Sequence, residues 1–153
     1  MIVYGDEPRE AQQAESAVLR SLAGRQGLRA LDANSLSMIR GDQTAVEAAN
    51  RGNFSALAAL GRQHGAEFLV VGNLSSQGAP SVGRFYTGTA QMDLKMYRVS
   101  TGSLVDAHTF RVGTGGAQAV LATTEGEARS RAAEEAGKVA AQAARTWLTR
   151  AFR

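Results

Sequence analysis

Few side chains in this 153-residue sequence are of types that do chemistry, and their spacing decides what each could do. There are two histidines, His64 and His108, and no cysteine. Neither histidine has a second one at ligand spacing, so His64 reads as a helix end and His108 as strand surface, with no metal ligand expected. Zero cysteines exclude disulfides and thiolate sites and leave the redox compartment open. Asp93 and Lys95 alternate on the polar face of an extended run, where a cross-strand ion pair is the ordinary use of such residues. Glu134 and Glu135 fall mid-helix among bases and read as solubilising charges. No Gly-x-Ser-x-Gly elbow is present for a serine nucleophile. The glycines at 113, 115 and 116 in "VGTGGAQA" precede no lysine, and their spacing is not that of a dinucleotide fingerprint. Two sequons, Asn53-Phe54-Ser55 and Asn73-Leu74-Ser75, are explained as a helix cap and a strand end. The expectation is no catalytic residue, no cofactor and no metal.

One stretch fits a ligand loop by position. "HGAEFLVVGNLSSQG" runs from His64 to Gly78 through five apolar residues into serine and glycine. A loop at the carboxyl end of a buried strand is where α/β proteins hold ligands. Residues 75–84, from Ser75 to Arg84, would be that loop, but they contain no lysine and Arg84 is their only cation. A small-ligand or nucleotide-binding domain using this loop stays open beside the plainer reading of a strand that holds a sheet.

The elements that must position these residues are clearer. Ile2 to Tyr4 could end a strand, and Asp6 and Glu7 before Pro8 start a helix. Ala11, Ala14, Val18 and Leu22 share one helical face, and Gly24 and Gly27 stop it. "LRALD", ending at Asp32, reads as a short strand. Two helical turns separated by Gly41 fill 33–52. Asn53 caps a further helix with Phe54, Leu57, Ala58 and Leu60 inward and Gly65 at its end. "FLVVG" lacks alternation, as in a strand covered on both faces. Ala90, Met92, Leu94 and Met96 then alternate with Gln91, Asp93, Lys95 and Tyr97 in a half-exposed strand. "VSTGSL" turns that strand into a second one ending at Val112, a β-hairpin. Residues 113–124 read as a flexible connection. From Glu125 onward one Ala-rich helix carries Ala132, Ala136, Val139, Ala143 and Trp147 inward, with Arg131, Lys138 and Arg145 on a solvated face. The expected fold is α/β: residues 1–153 as one domain, a sandwich of a mixed β-sheet with helices packed on it and a long C-terminal helix.

Composition agrees with a folded chain: 44% hydrophobic, 20% charged and only 6% aromatic, so the core must be built from small residues. Seventeen basic residues against fourteen acidic ones is a thin, interspersed excess, which argues against nucleic acid because phosphate binding needs a clustered patch. No run approaches the roughly 18 apolar residues of a membrane span. The start, "MIVYGDEPRE", has neither the basic nor the apolar part of a signal peptide, so an export signal or lipid anchor would lie outside this chain.

"GAEFLVVGNLSS", a Gly/Ser stretch, and then "GTAQMDLKMYRVSTGSLVDAHTFRV" resemble a bacterial cell-envelope module. It is shared by the curli secretion channel lipoprotein, the amino-terminal part of TolB, flagellar assembly protein T and the lipoprotein activators of penicillin-binding proteins. The matching positions are Gly65, Ala66, Glu67 and Gly72 around the apolar strand, then Val99, Thr101 and Gly102 in the turn. The order of these motifs, with the upstream helix and "GLRALD", covers most of the chain. Two departures stand out: Arg98 occupies a position that is often acidic or Asn, and a lipidated cysteine is absent. The resemblance implies an α/β fold without catalytic residues, working through protein contacts in the periplasm or at the outer membrane, as an assembly or secretion accessory with protein partners or as a homo-oligomer.

Arg84, Phe85 and Tyr86 stand where the Gly/Ser stretch enters the hairpin. Two aromatics beside an arginine are types enriched at protein interfaces. They are the expected partner-contact residues, with covering the rim of the core as the alternative.

Overall fold

The structure, a computed structural model, describes residues 1–23, 29, 31–81, 83–113 and 120–151. Its elements follow in the order β1 (Ile2–Gly5), α1 (Pro8–Leu22), α2 (Ala33–Gly41), α3 (Gln43–Asn50), α4 (Ser55–Gln63), β2 (Phe68–Pro80), β3 (Tyr86–Arg98), β4 (Leu104–Val112), β5 (Val120–Ala122) and α5 (Glu125–Ala151). The sheet runs β1-β2-β3-β4. β1 lies parallel to β2 and the other pairs are antiparallel, so the sheet is mixed and the fold is α/β. β4 pairs with β3 from Ala90 to Tyr97 and β5 pairs with it from Tyr86 to Gly88. The two short strands therefore lie end to end along one side of β3.

Period-two burial then assigns the two faces. Val70, Leu74, Ala90, Met92, Leu94, Met96, Phe110 and Val112 meet the small residues of α1 and α5. Leu69, Val71 and Val99 meet Ile39, Ala45, Leu57 and Ala58 of α2, α3 and α4. "FLVVG" lacks alternation because both of its faces are buried, as the sequence implied. Gly72 ends that run for a packing reason: a Cβ there would lie 2.8 Å from Leu94 Cδ2 and 2.9 Å from Val3 Cγ2.

Small residues let the long helix sit close. At Gly88 an added Cβ would meet the Ala128 carbonyl at 1.9 Å, and at Gly137 it would meet Ala14 Cα at 2.8 Å. Ala128, Ala132, Ala136, Ala140 and Ala144, all fully buried, continue the same face. The inner stripe thus follows an i, i+4 row. Val139, expected inward, is 38% exposed, and Ala143 is only half-buried.

Caps set the helix ends on the other face. Asp32 Oδ1 accepts from Ser35 N–H at 2.9 Å, and Asp42 Oδ1 from Ala45 N–H at 2.9 Å. α4 ends with Gly65 at φ +76°; Gly65 N–H donates to Arg62 C=O and Ala66 N–H to Gly61 C=O. This is the Schellman pattern that requires a left-handed residue. The residues of the turn are then tied to it: Val99 N–H donates to Glu67 C=O at 2.9 Å, and an Arg62 guanidinium N–H to Val99 C=O at 2.8 Å.

Three expectations are corrected. Of 75–84, residues 75–80 are strand, paired with β3 up to Pro80 opposite Tyr86. Their serines, glycine and glutamine have low strand propensity, yet thirteen consecutive pairings with β3 and the close approach of α5 at Gly78 hold them extended. Within 113–124, residues 120–122 form β5, for the same tertiary reason. Asp32 caps a helix, and Leu31 packs on the α2–α4 side without being in a strand. The other positions of "LRALD", apart from Arg29, and the stops proposed at Gly24 and Gly27 lie outside the described residues.

Candidate functional site

Where β2 gives way to β3, Ser81 N–H donates to Phe85 C=O at 2.9 Å. Arg84 is exposed, Phe85 is 52% exposed, and Tyr86 is half-buried at the first position of β3. Tyr86 pairs with Pro80 on one side and Ala122 on the other, so its backbone is held from both sides. The next position, Thr87, lies opposite Leu121 of β5, which is 50% exposed. The end of the sheet thus brings together the expected Arg84, Phe85 and Tyr86 with one large apolar side chain missed in the sequence. A three-residue strand inside a Gly-rich connection leaves no periodic signal from which Leu121 could have been placed.

The same geometry removes the ligand-loop setting. With 75–80 in the sheet, no glycine-rich loop follows the buried strand, only the turn after Pro80.

The remaining polar residues resolve into three groups. The first joins β4 to α5. Trp147 Nε1–H donates to Asp106 Oδ2 at 2.6 Å, and His108 Nε2 lies 3.3 Å from the same oxygen. The His108 ring meets Trp147 edge-on at 5.0 Å. The Ala107 backbone N–H above all, helped by Trp147 and His108, holds the Asp106 carboxyl below its ordinary value, while burial opposes them. This group docks a helix. His64 follows the last turn of α4, where its backbone N–H bonds Leu60 and Gly61 carbonyls.

The second group lies inside. Glu15, 3% exposed, accepts from Val3 N–H at 3.0 Å and pairs with Arg40 of α2. Glu10, 7% exposed, accepts from Ser76 Oγ–H at 2.5 Å and faces Arg129 of α5 at 3.4 Å. These carboxylates tie elements across the fold and are already paired.

The third group crosses the sheet face left open beyond α2–α4. Thr109 Oγ1–H donates to Asp93 Oδ1 at 2.5 Å, Gln91 Nε2–H to Asp93 Oδ2 at 3.0 Å, and Arg111 Nε–H to Gln91 Oε1 at 3.1 Å. Asp93 therefore bonds uncharged neighbours. The expected cross-strand ion pair does not form: Asp93 lies opposite Thr109 and Lys95 opposite Ala107, and neither makes an ion pair among the described residues. Arg111 borders an open depression of about 340 Å³ with Ser75, Gln77, Thr89 and Gln91. A larger groove of about 1230 Å³ lies between α1 and α5. It is a wide trough between two helices, and its Lys138 is engaged by Glu134 and Glu135 at 3.0 and 2.7 Å. Among the described residues no group of three or more His, Asp or Glu is placed to hold a metal ion.

No family profile and no curated protein matches the sequence. Solved structures do share its fold. A candidate lipoprotein from Caulobacter crescentus CB15 superposes with a TM-score of 0.51 at 15% identity, covering 96% of this chain and 88% of that one. The LpoB C-terminal domain from Salmonella enterica gives a TM-score of 0.47 at 15% identity over 73% of this chain and 76% of that one. At this identity the Caulobacter likeness establishes the fold and nothing finer.

Proposed function

We propose that this chain is a non-enzymatic accessory module of the bacterial cell envelope that works through protein contacts. In this reading residues 1–153 act as one domain in the periplasm, held at a membrane only through an anchor outside this chain, and serve envelope assembly or secretion. Three things support it: the order of the envelope-module motifs, the fold shared with a candidate lipoprotein, and the use of the acidic residues in structural pairs. The observation that carries the contact surface is the end of the sheet. Phe85 and Leu121 each leave half their surface in water beside Arg84, although the aromatic supply of the whole sequence is only 6%. A partner protein or a second copy of this chain would cover them.

A photo-crosslinking residue at position 85, in cells that export the protein, should trap a discrete partner or a dimer. The same residue at position 139, on the outer face of α5, should not. Arg84→Glu with Tyr86→Ala should remove the adduct while the far-ultraviolet circular dichroism is unchanged. Equal labelling from 85 and 139, or adducts untouched by the double substitution, would refute the surface.

A further inference from the structure

We propose that the open face of the sheet carries a carboxylate-binding site with Arg111 as its anchor, and that its occupant is an acidic side chain of a partner protein. The inference rests on the protein-binding reading above and names the chemistry of a second contact, further along the same strands.

The guanidinium is held in place by a chain of side chains. Thr109 and Gln91 both donate to Asp93, and Gln91 in turn accepts from Arg111 Nε–H. This uses the Nε–H and leaves the two terminal nitrogens without a partner among the described residues. A planar pair of N–H groups presented in a fixed direction matches the two oxygens of a carboxylate. Around the depression, the Ser75 and Thr89 hydroxyls and the Gln77 amide are likewise unengaged, and all of them can donate. Asp93 keeps its negative charge, but its two oxygens accept from Thr109 and Gln91, so it makes no direct bond to the guanidinium.

The lining decides the kind of occupant. Small-molecule sites are concave and mostly apolar and bury most of the ligand. This depression is open and lined by polar residue types, and Ala90 of β3 is its one apolar residue among those described. It suits a group delivered by a larger surface that covers the sheet. Lys95 and Arg111, exposed on the same face, outnumber the single negative charge of Asp93 and leave that surface net positive.

The test uses the intact chain and nitrogen-15 NMR, following the Arg111 Nε–Hε signal and the amides of Ser75, Gln77 and Thr89. Acetyl-Ala-Glu-Ala-amide should shift these signals saturably, at least tenfold more tightly than the Gln peptide of the same length. Arg111→Gln should abolish the shifts, and Gln91→Leu, which frees the guanidinium, should weaken binding at least threefold with the sheet amides undisturbed. Galacturonate should bind more weakly than the Glu peptide. Tighter binding of galacturonate or of inorganic phosphate, an equal response at Arg51 and Arg84, or shifts that survive Arg111→Gln would each overturn the proposal. Loss of the peptide shifts with the position-85 adduct intact removes this site alone. Loss of the adduct with the peptide shifts intact removes the contact surface alone.

Discussion

Tyr4 carries a buried hydroxyl with no hydrogen-bond partner among the described residues. Burial pushes its phenol up to about 12, the nearby Arg40 charge opposing that effect. An unpartnered buried donor costs free energy that an apolar ring of the same shape does not. Tyr4→Phe should therefore stabilise the protein by about 1 kcal/mol, read as a raised midpoint in urea with the slope unchanged. Asp106 makes the opposite case. Its folded carboxyl lies below the ordinary range, so its contribution is complete above the unfolded value of about 3.9 and is lost as pH falls through the lower folded value. Asp106→Asn removes that charge at every pH. The stability gap between wild type and Asp106→Asn should be wider at pH 5 than at pH 2, measured by denaturant unfolding at both. A gap that widened on acidification would reverse the assignment. Arg98, the residue that departs from the envelope-module pattern, has its own structural use: its guanidinium lies 5.0 Å from the centre of the Phe68 ring. The strand pair is thereby closed by a cation over an aromatic face instead of by a carboxylate.

Elements were legible in the sequence where a period ran long enough to be counted. The alternation of Ala90, Met92, Leu94 and Met96, the face of Ala11, Ala14 and Val18, and the Gly65 end of α4 appear where they were expected. Asn53 does not cap α4: Phe54 is the N-cap residue without a side-chain bond, and Asn53 Oδ1 accepts from Ser55 N–H at 3.1 Å just before it. Two kinds of signal failed. The outer half of β2 is built from Ser, Gln and Gly, residues without strand preference, and only its partner strand and α5 hold it straight. In α5, an Ala-rich composition offers several apolar faces at once, so a seven-residue reading chose Val139 where close packing selects the row through Ala140. Arg84, Phe85 and Tyr86, the proposed contact residues, were picked out together because they are consecutive in the sequence. Leu121 and the Arg111 row were not, because register across strands is not written in either strand alone. The packing of α5 makes a sharp prediction. Gly88→Ala places a methyl against the Ala128 carbonyl and should cost about 1–3 kcal/mol. Gly41→Ala, where nothing lies within 4 Å, is the control and should leave the thermal midpoint within a degree or so. Equal effects at the two sites would show that α5 does not sit on the sheet as described.

At the scale of the whole molecule, the sheet divides its sides unequally. α1 and α5 cover one side along the strands, while α2, α3 and α4 cover the other only near Leu69, Val71 and Val99. The uncovered remainder is largely polar: Asn73, Ser75, Gln91, Asp93, Lys95, Thr109 and Arg111 are among its exposed or half-exposed residues. An antiparallel sheet can keep one side in water, so this asymmetry needs no partner to be stable. It does leave both proposed contacts, the sheet end at Arg84 and the anchor at Arg111, away from the helices that hold the core.

The parallel pairing of β1 with β2 also sets a clock. Ile2 finds its partner Val71 only after about 70 further residues have been made, and β2 in turn needs β3. At roughly 5–20 residues per second, the opening strand waits on the order of 4–14 s before it has anything to pair with. During that time the chain has helices to form but no sheet to lay them on. A polypeptide that must be threaded across a membrane gains from such a delay, because what is not yet folded can still be translocated. Ribosome-bound chains stalled just short of the Phe68–Pro80 segment should be digested by protease throughout. Those extended past the last helix by enough linker to clear the exit tunnel should leave a resistant core, and resistance in the shorter chains would show that the amino-terminal part folds without its sheet.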